Sequence, residues 1–355
     1  MKMGHPKVDN HTPFEFAPMF LADSNGQPLF VPLLKASYSI GEDQTLRVAE
    51  EQQPIAIGGE FWGPPETSSY KLEPEGVIVK PATDVVLLGN AYPDRAGDTE
   101  TTVGLRVGAI RKLVQVVGDR YWTKVAGMVS MSSPQPFEKM PLQWERSYGG
   151  WDRSAEDPRE HRCETRNPVG SGFRLRWNDR ESSVRLPNLE HPSQRIQRFD
   201  DRPQPVGFGF LGAHWQPRAG LAGTYDERWM KSRMPLLPED FAPAFLNAAP
   251  LDQIAKGYLQ GDEEVVLLNV SPRGRLAFNL PGGGAPRIDV ELRGSGSQTL
   301  TTVLDTVIVD SEALSVSLLW RAALPVADVP TDVVSVHIAS LAHAEAAPEP
   351  RIRVA

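Results

Sequence analysis

Apolar residues in the two arms of this chain recur at every second position in short runs, the signature of strands rather than helices. In the first arm, from about 29 to 122, the runs are "LFVPLLKASYSI" (29–40), "TLRVAE" (45–50), "DVVLLGNAY" (84–92), "TTVGLRVG" (101–108) and "KLVQVVGDRYW" (112–122). In the fourth run Val103, Leu105 and Val107 fall on one face and Thr102, Gly104 and Arg106 on the other, because side chains alternate across a strand. The segment "GAIR" (108–111) predicts a hairpin that returns this strand onto "KLVQVV". The second arm repeats the style with "EVVLLNV" (264–270), "RLAFNL" (275–280), "RIDVEL" (287–292), "TTVLDTVIVD" (301–310), "LSVSLLWRAAL" (314–324) and "VVSVHIASL" (333–341). "SPRG" and "DSEA" supply turns between neighbouring members.

Residues 134–255 differ in kind. From Met140 to Pro235 there are fifteen arginines and one lysine against thirteen acids, together with five of the eight tryptophans: Trp144, Trp151, Trp177, Trp215 and Trp229. Regular structure is expected to be sparse here, limited to two helical turns. "TYDERWMKSRM" offers Thr224 and Glu227 as a capping box and stops at Pro235. "DFAPAFLNAAPLDQ" supplies a second turn broken by Pro243 and Pro250.

The expected fold is therefore mainly β, with antiparallel sheets forming a β-sandwich-like scaffold and a long irregular Arg-, Trp- and Pro-rich middle segment carrying a few short helices. Its expected parts are an N-terminal β-rich part (10–133), the irregular middle segment (134–255), a C-terminal β-rich part (256–345) packing with the first, and a flexible tail (346–355).

Composition sharpens this picture. Thirty-two prolines in 355 residues are roughly twice the usual ~5% share, so long helices will be few. A net charge of −8 gives no broad attraction to phosphate backbones or anionic lipid, so proteins are the expected partners, with no nucleic acid and no membrane. Cys163 is the only cysteine, which excludes an intrachain disulfide and fits a reducing cytoplasm. No segment approaches the ~20 apolar residues of a membrane span, and the first residues carry no apolar run, so a cytoplasmic location is expected.

Several chemistries were weighed against the residues. Gly207, Gly209 and Gly212 in "RPQPVGFGFLGAHWQPR" (202–218) satisfy G-x-G-x-x-G, and Glu227 stands twenty residues past the first glycine. Pro203 and Pro205 before the glycines and Pro217 after them leave no room for the strand and helix of a dinucleotide site, so these glycines are read as an irregular loop packed on aromatics. Cys163 beside His161 and Glu164 lacks the geometry of an activated thiol, and the seven histidines show no ligand spacing that predicts a metal centre. The adjacent acids Glu50-Glu51, Asp200-Asp201 and Glu263-Glu264 are read as solvated pairs. No catalytic, cofactor or metal residues are assigned.

The arginines and tryptophans of the middle segment admit three readings, of which single-stranded nucleic acid on stacked aromatics is disfavoured by the scarcity of lysine and the thirteen local acids. Guanidinium forks satisfy carbonyls in loops that lack regular hydrogen bonding, which makes the segment an internal staple network. Trp, Tyr and Arg also dominate protein-binding hot spots, which makes it an interface. The candidate anchors are Arg146, Tyr148, Trp151, Arg166, His214, Trp215, Arg218, Tyr225 and Trp229.

Several stretches together resemble a known family: "NHTPFEFAPMF" (10–20), "PATDVVLLGNAY" (81–92), "LRVGAIRKLVQVVGDRYW" (105–122), "PFEKMPLQWERSYGGWD" (136–152), "RNPVGSGF" (166–173), "LPNLEHP" (186–192), "PVGFGFLGAHWQPRAGLAGTYDERWMKSRMPLLPEDF" (205–241) and "FLNAAPLDQIAKGYLQGDEEVVLLNV" (245–270). They are similar to the domain-of-unknown-function family of type VI secretion effector adaptor and chaperone proteins, encoded beside PAAR-type tips and effectors. The resemblance implies a cytoplasmic protein without catalysis that binds an effector or its PAAR-containing region and helps load it onto the VgrG spike. It assigns no catalytic residues. The competing classes are a hydrolytic enzyme or effector with an acid-based site, and a structural component of the spike.

Overall fold

The computed structural model describes residues 6–327 and 332–339, so the tail expected at 346–355 lies outside the described residues. The protein is mainly β, with a sandwich-like stack of sheets. A seven-stranded sheet runs in the order Glu15–Ala22, Pro28–Ile40, Ser315–Arg321, Val303–Asp310, Asp84–Leu88, and Leu46–Val48 and Leu324–Pro325 also pair with Pro28–Ile40. A five-stranded sheet follows the order Leu189–Glu190, Ile110–Val117, Glu100–Val107, Glu264–Leu268, Arg275–Asn279. A four-stranded sheet contains Lys7–Asn10, Val333–Ile338, Arg287–Leu292 and Gly296–Thr301. Strands from the beginning and the end of the chain thus lie side by side in each of them.

Alternation along the strands explains the layering. Leu34, Val85, Leu87, Val307, Val309, Leu318 and Trp320 share one core with Val103, Leu105, Val114, Val265 and Phe278 of the five-stranded sheet and Ile288, Val336 and Ile338 of the four-stranded one. The neighbouring positions Leu33, Val86, Leu88, Ile308 and Leu319 point the other way and pack on Phe210, Ala248 and Ala249 of the middle segment. The seven-stranded sheet is therefore covered on both faces, which is why runs such as "DVVLL" are continuously apolar rather than alternating. Each fully buried Leu, Ile or Val side chain in these layers contributes about 1.5–3 kcal/mol of transfer free energy.

The hairpin read at 108–111 forms with Gly108 and Ala109 at its tip, Gly108 at φ +53°, and Ile110 opposite Val107. Other expectations need correction. "KLVQVVGDRYW" is not one strand: Ile110–Val117 and Tyr121–Val125 belong to different sheets. Between them Gly118 crosses the chain so closely that a Cβ there would lie 1.7 Å from the Gln135 carbonyl oxygen. Two further strands, Glu15–Ala22 and Gly296–Thr301, extend the sheets. Among the strands of the described residues, three pairings are parallel: Val303–Asp310 with Asp84–Leu88, Lys7–Asn10 with Val333–Ile338, and Tyr148–Gly149 with Ser171–Gly172.

The middle segment is built from strands of two or three residues, single 3-10 turns and one six-residue α-helix, Glu227–Ser232. Its cap is not the Thr224 and Glu227 box. Asp226 is the N-cap and accepts from the Trp229 amide at 2.8 Å, while Thr224 donates to Asp240 and Glu227 pairs with Lys231 at 2.6 Å. Nor do Pro243 and Pro250 break a helix. Pro243 opens the 3-10 turn Pro243–Leu246 and Pro250 precedes Leu251–Gln253, positions where the missing N–H is no loss.

Candidate functional site

Of the nine candidate anchors, Tyr148, Trp215 and Arg218 are buried, and Arg146 and Arg166 are half-buried and bonded to neighbouring segments. Trp215 is buried, with its indole N–H directed to the His214 ring at 3.0 Å and its face edge-on to Trp144. Gly207 and Gly209 lie on the Trp144 ring and Gly212 on Trp215, and the Trp144 indole N–H donates to the Gly209 carbonyl at 3.1 Å. At Gly207 and Gly212 the rings occupy the space a Cβ would need, whereas one at Gly209 would make ordinary contact at 3.6 Å. Tyr148 is buried edge-on to Phe173, and burial pushes its phenol up to about 12. Arg166 forks onto Glu164 and reaches the Pro203 carbonyl at 3.3 Å. Arg146 donates to Asn188 at 3.2 Å. Arg218 donates to the carbonyls of Leu211 and Phe245, both at 2.8 Å, and to the Glu73 carboxylate, with its guanidinium over the Phe245 ring. These are staples that close loops lacking a backbone ladder.

Arg218 enters a buried layer that sequence reasoning missed. Lys35, Lys80, Arg218 and Arg321 meet Glu73, Glu75, Asp84 and Asp305, all buried and balanced in charge. Lys35 binds Glu75 at 2.7 Å, Lys80 binds Asp84 at 2.8 Å and Glu73 at 3.2 Å, and Arg321 binds Asp305. Burial pulls the Lys80 ammonium down, yet the carboxylates of Asp84, Glu73 and Asp305 hold it above its ordinary value. The available signal was a charge inside an apolar strand: Lys35 in "VPLLKAS", Asp305 in "VLDTVIV" and Arg321 after "SLLW". Such residues persist in a core only when paired.

The other four candidates reach the surface. Trp151 is exposed and carries the Arg153 guanidinium 5.4 Å from its ring, and His214 is exposed beside Trp215. Tyr225, just ahead of the helix Glu227–Ser232, and Trp229 on it form a separate constellation, with ring centroids 4.8 Å apart. Trp229 is half-buried and donates its indole N–H to the Leu236 carbonyl at 2.8 Å, whereas Tyr225 is 53% exposed. Sequence reasoning missed Met230 and Met234, each 61% exposed, within the same ten residues. Arg233 fastens this element to the scaffold, donating to the Leu237 carbonyl at 2.9 Å, the Ser24 carbonyl at 2.9 Å and Asn25 at 3.0 Å. The helix and its two flanks thus present one aromatic ring and two thioethers to solvent, a surface that adapts to apolar partners.

Two sites have chemical character. A cavity of about 290 Å³ is lined by Lys112, Trp144, Arg166, His191, Gln204 and Asp252 among others. Lys112 is buried there, 2.8 Å from Asp252 and over the Phe208 ring, and burial brings its ammonium down to about 8 despite that carboxylate. Cys163 is not activated, since burial and the neighbouring Glu164 push its thiol up to about 11. The histidines, scattered in sequence, converge at one place among the described residues, where His11 and His337 meet Asp9.

Residues 25–321 match the family described as uncharacterized protein conserved in bacteria (DUF2169), and the chain belongs to that family. No curated protein and no solved structure matches it. Among the described residues, no helix is long and apolar enough to cross a membrane.

Proposed function

We propose that this protein is a cytoplasmic adaptor or chaperone that binds a secreted effector, or the PAAR-containing region of one, and passes it to the VgrG spike of a type VI secretion apparatus. The observation that carries the reading is the exposure of Tyr225, Met230 and Met234 on and beside the helix Glu227–Ser232, which Arg233 and Trp229 fasten by hydrogen bonds. An adaptor needs apolar contact surface that is solvent-facing before the client arrives, set on a framework that does not deform. The core shared by the three larger sheets supplies that framework, and the stapled middle segment, which carries the helix, is anchored to it through Arg218. The resemblance of "GFGFLGAHWQPR" and its flanks to type VI adaptor proteins supports the identity of the client.

Binding only the folded client stabilises it by RT ln(1 + [adaptor]/Kd), about 2.7 kcal/mol at a hundredfold excess over Kd. That is a sizeable part of a marginal domain's stability. The test is co-expression with the effector and PAAR-type proteins encoded beside this chain, followed by size-exclusion chromatography. A stoichiometric complex, with a client soluble only in its presence, is the expected result. Clients that fold and load without it overturn the reading.

A further inference from the structure

The strand Lys7–Asn10 is only four residues long and leaves Lys7, Val8 and Asp9 exposed, so apolar burial contributes little to holding it. It nevertheless pairs in parallel with Val333–Ile338, with Asp9 opposite His337, and the ladder continues through the His11 amide to the Ile338 carbonyl at 3.1 Å. Asp9 and His11 are two residues apart on one extended segment and present their side chains to the same side. Pairing then adds His337 from 328 residues further along the chain.

Two of the three separations between the ligand atoms, those from Asp9 to each histidine, are close to the spacing a metal ion imposes. His11 Nε2 lies 3.1 Å and His337 Nδ1 3.3 Å from the same oxygen of Asp9, and all three lie within 4.8 Å of one another. Zinc bonds of about 2.0–2.2 Å in a tetrahedron place neighbouring ligands roughly 3.3 Å apart. Two imidazoles and one carboxylate are also the donor set that zinc-class ions take in sites with an open position. Next to them on the sheet, Asp289 opposite His337 is engaged by Arg287 and Thr299, which leaves Asp9 as the carboxylate facing both histidines.

We propose that Asp9, His11 and His337 form a surface site for a divalent first-row transition ion of the zinc class, which clasps the strand Lys7–Asn10 to Val333–Ile338. Three protein ligands leave at least one position for water or for a donor from a bound partner. The site lies at the four-stranded sheet, apart in the fold from the middle segment that carries the helix Glu227–Ser232, and does not depend on the adaptor reading.

The test is titration of the tag-free full chain with Co²⁺ and Zn²⁺, read by calorimetry and by the visible absorption of bound Co²⁺, alongside His11→Ala and His337→Ala. One equivalent is expected to bind, with at least a tenfold loss of affinity in either variant. Zn²⁺ is also expected to slow amide exchange across Lys7–Asn10. All three side chains are exposed, so the variants should keep the fold, which their unchanged melting verifies. Absence of stoichiometric binding, or binding undiminished in both variants, overturns the site.

Discussion

The guanidinium of Arg218 donates to the buried carboxylate of Glu73, 145 residues earlier in the chain, and so joins the loop-built middle segment to the charged layer beneath the seven-stranded sheet. Glu73 shares its other oxygen with Lys80, and Lys80 holds Asp84. Removal of one member leaves its partner buried and undercompensated.

Arg218→Met is therefore expected to destabilise the protein by about 3–5 kcal/mol in urea titration. Arg218→Lys should recover little, because one ammonium cannot serve Glu73, Leu211 and Phe245 in the geometry of the fork. Glu73→Gln combined with Arg218→Met should cost less than the sum of the single changes, since the two residues share one interaction. Strict additivity would contradict the pairing.

Lys112 sets a pH dependence. Its folded value of about 8 lies below the ordinary 10.5, so below pH 8 both states carry the proton and the burial penalty is fully present. Between pH 8 and 10.5 the unfolded chain binds more protons than the folded one, and the penalty is relieved as pH rises. Lys112→Met removes the group, so its stability relative to the parent should be greatest below pH 8 and decline towards pH 10. Paired thermal melts across that range measure this, and a constant difference contradicts it.

A Cβ at Gly207 would meet the Trp144 ring at 3.0 Å, whereas one at Gly58 would meet nothing within 4 Å. Gly207→Ala should cost about 1–3 kcal/mol by displacing the indole, and Gly58→Ala should be close to neutral. Tryptophan fluorescence should shift only in the first variant.

Ala126 turns the hairpin between Tyr121–Val125 and Met128–Met131 at φ +50°, next to Gly127 at φ +84°. A residue with a Cβ is strained there, and asparagine tolerates the left-handed region best. Ala126→Asn should stabilise the protein by roughly 0.5–1 kcal/mol in denaturant titration.

Much of the scaffold was legible because strand alternation and turn chemistry are local. The hairpin at Gly108 could be read from Val103, Leu105 and Val107 and the turn that follows them. Gly296–Thr301 could not, because only Leu300 of its residues is buried and no apolar alternation marks it. The parallel pairing of Lys7–Asn10 with Val333–Ile338, and with it the meeting of Asp9 and His337, depends on contacts across more than 300 residues that no local pattern encodes. At the candidate surface Tyr225 and Trp229 were legible as aromatics. Met230 and Met234 were not, since an exposed methionine and a core methionine look alike in sequence.

The central claim is that the helix Glu227–Ser232 and its flanks receive a protein client. The most direct test is the client affinity of Met230→Asp combined with Met234→Asp, measured beside the parent chain and a Trp151→Ala control. Both methionines are exposed, so the double variant should melt as the parent does and bind the client at least tenfold more weakly, with Trp151→Ala unchanged. Full affinity in the double variant would contradict the account and place the docking surface elsewhere.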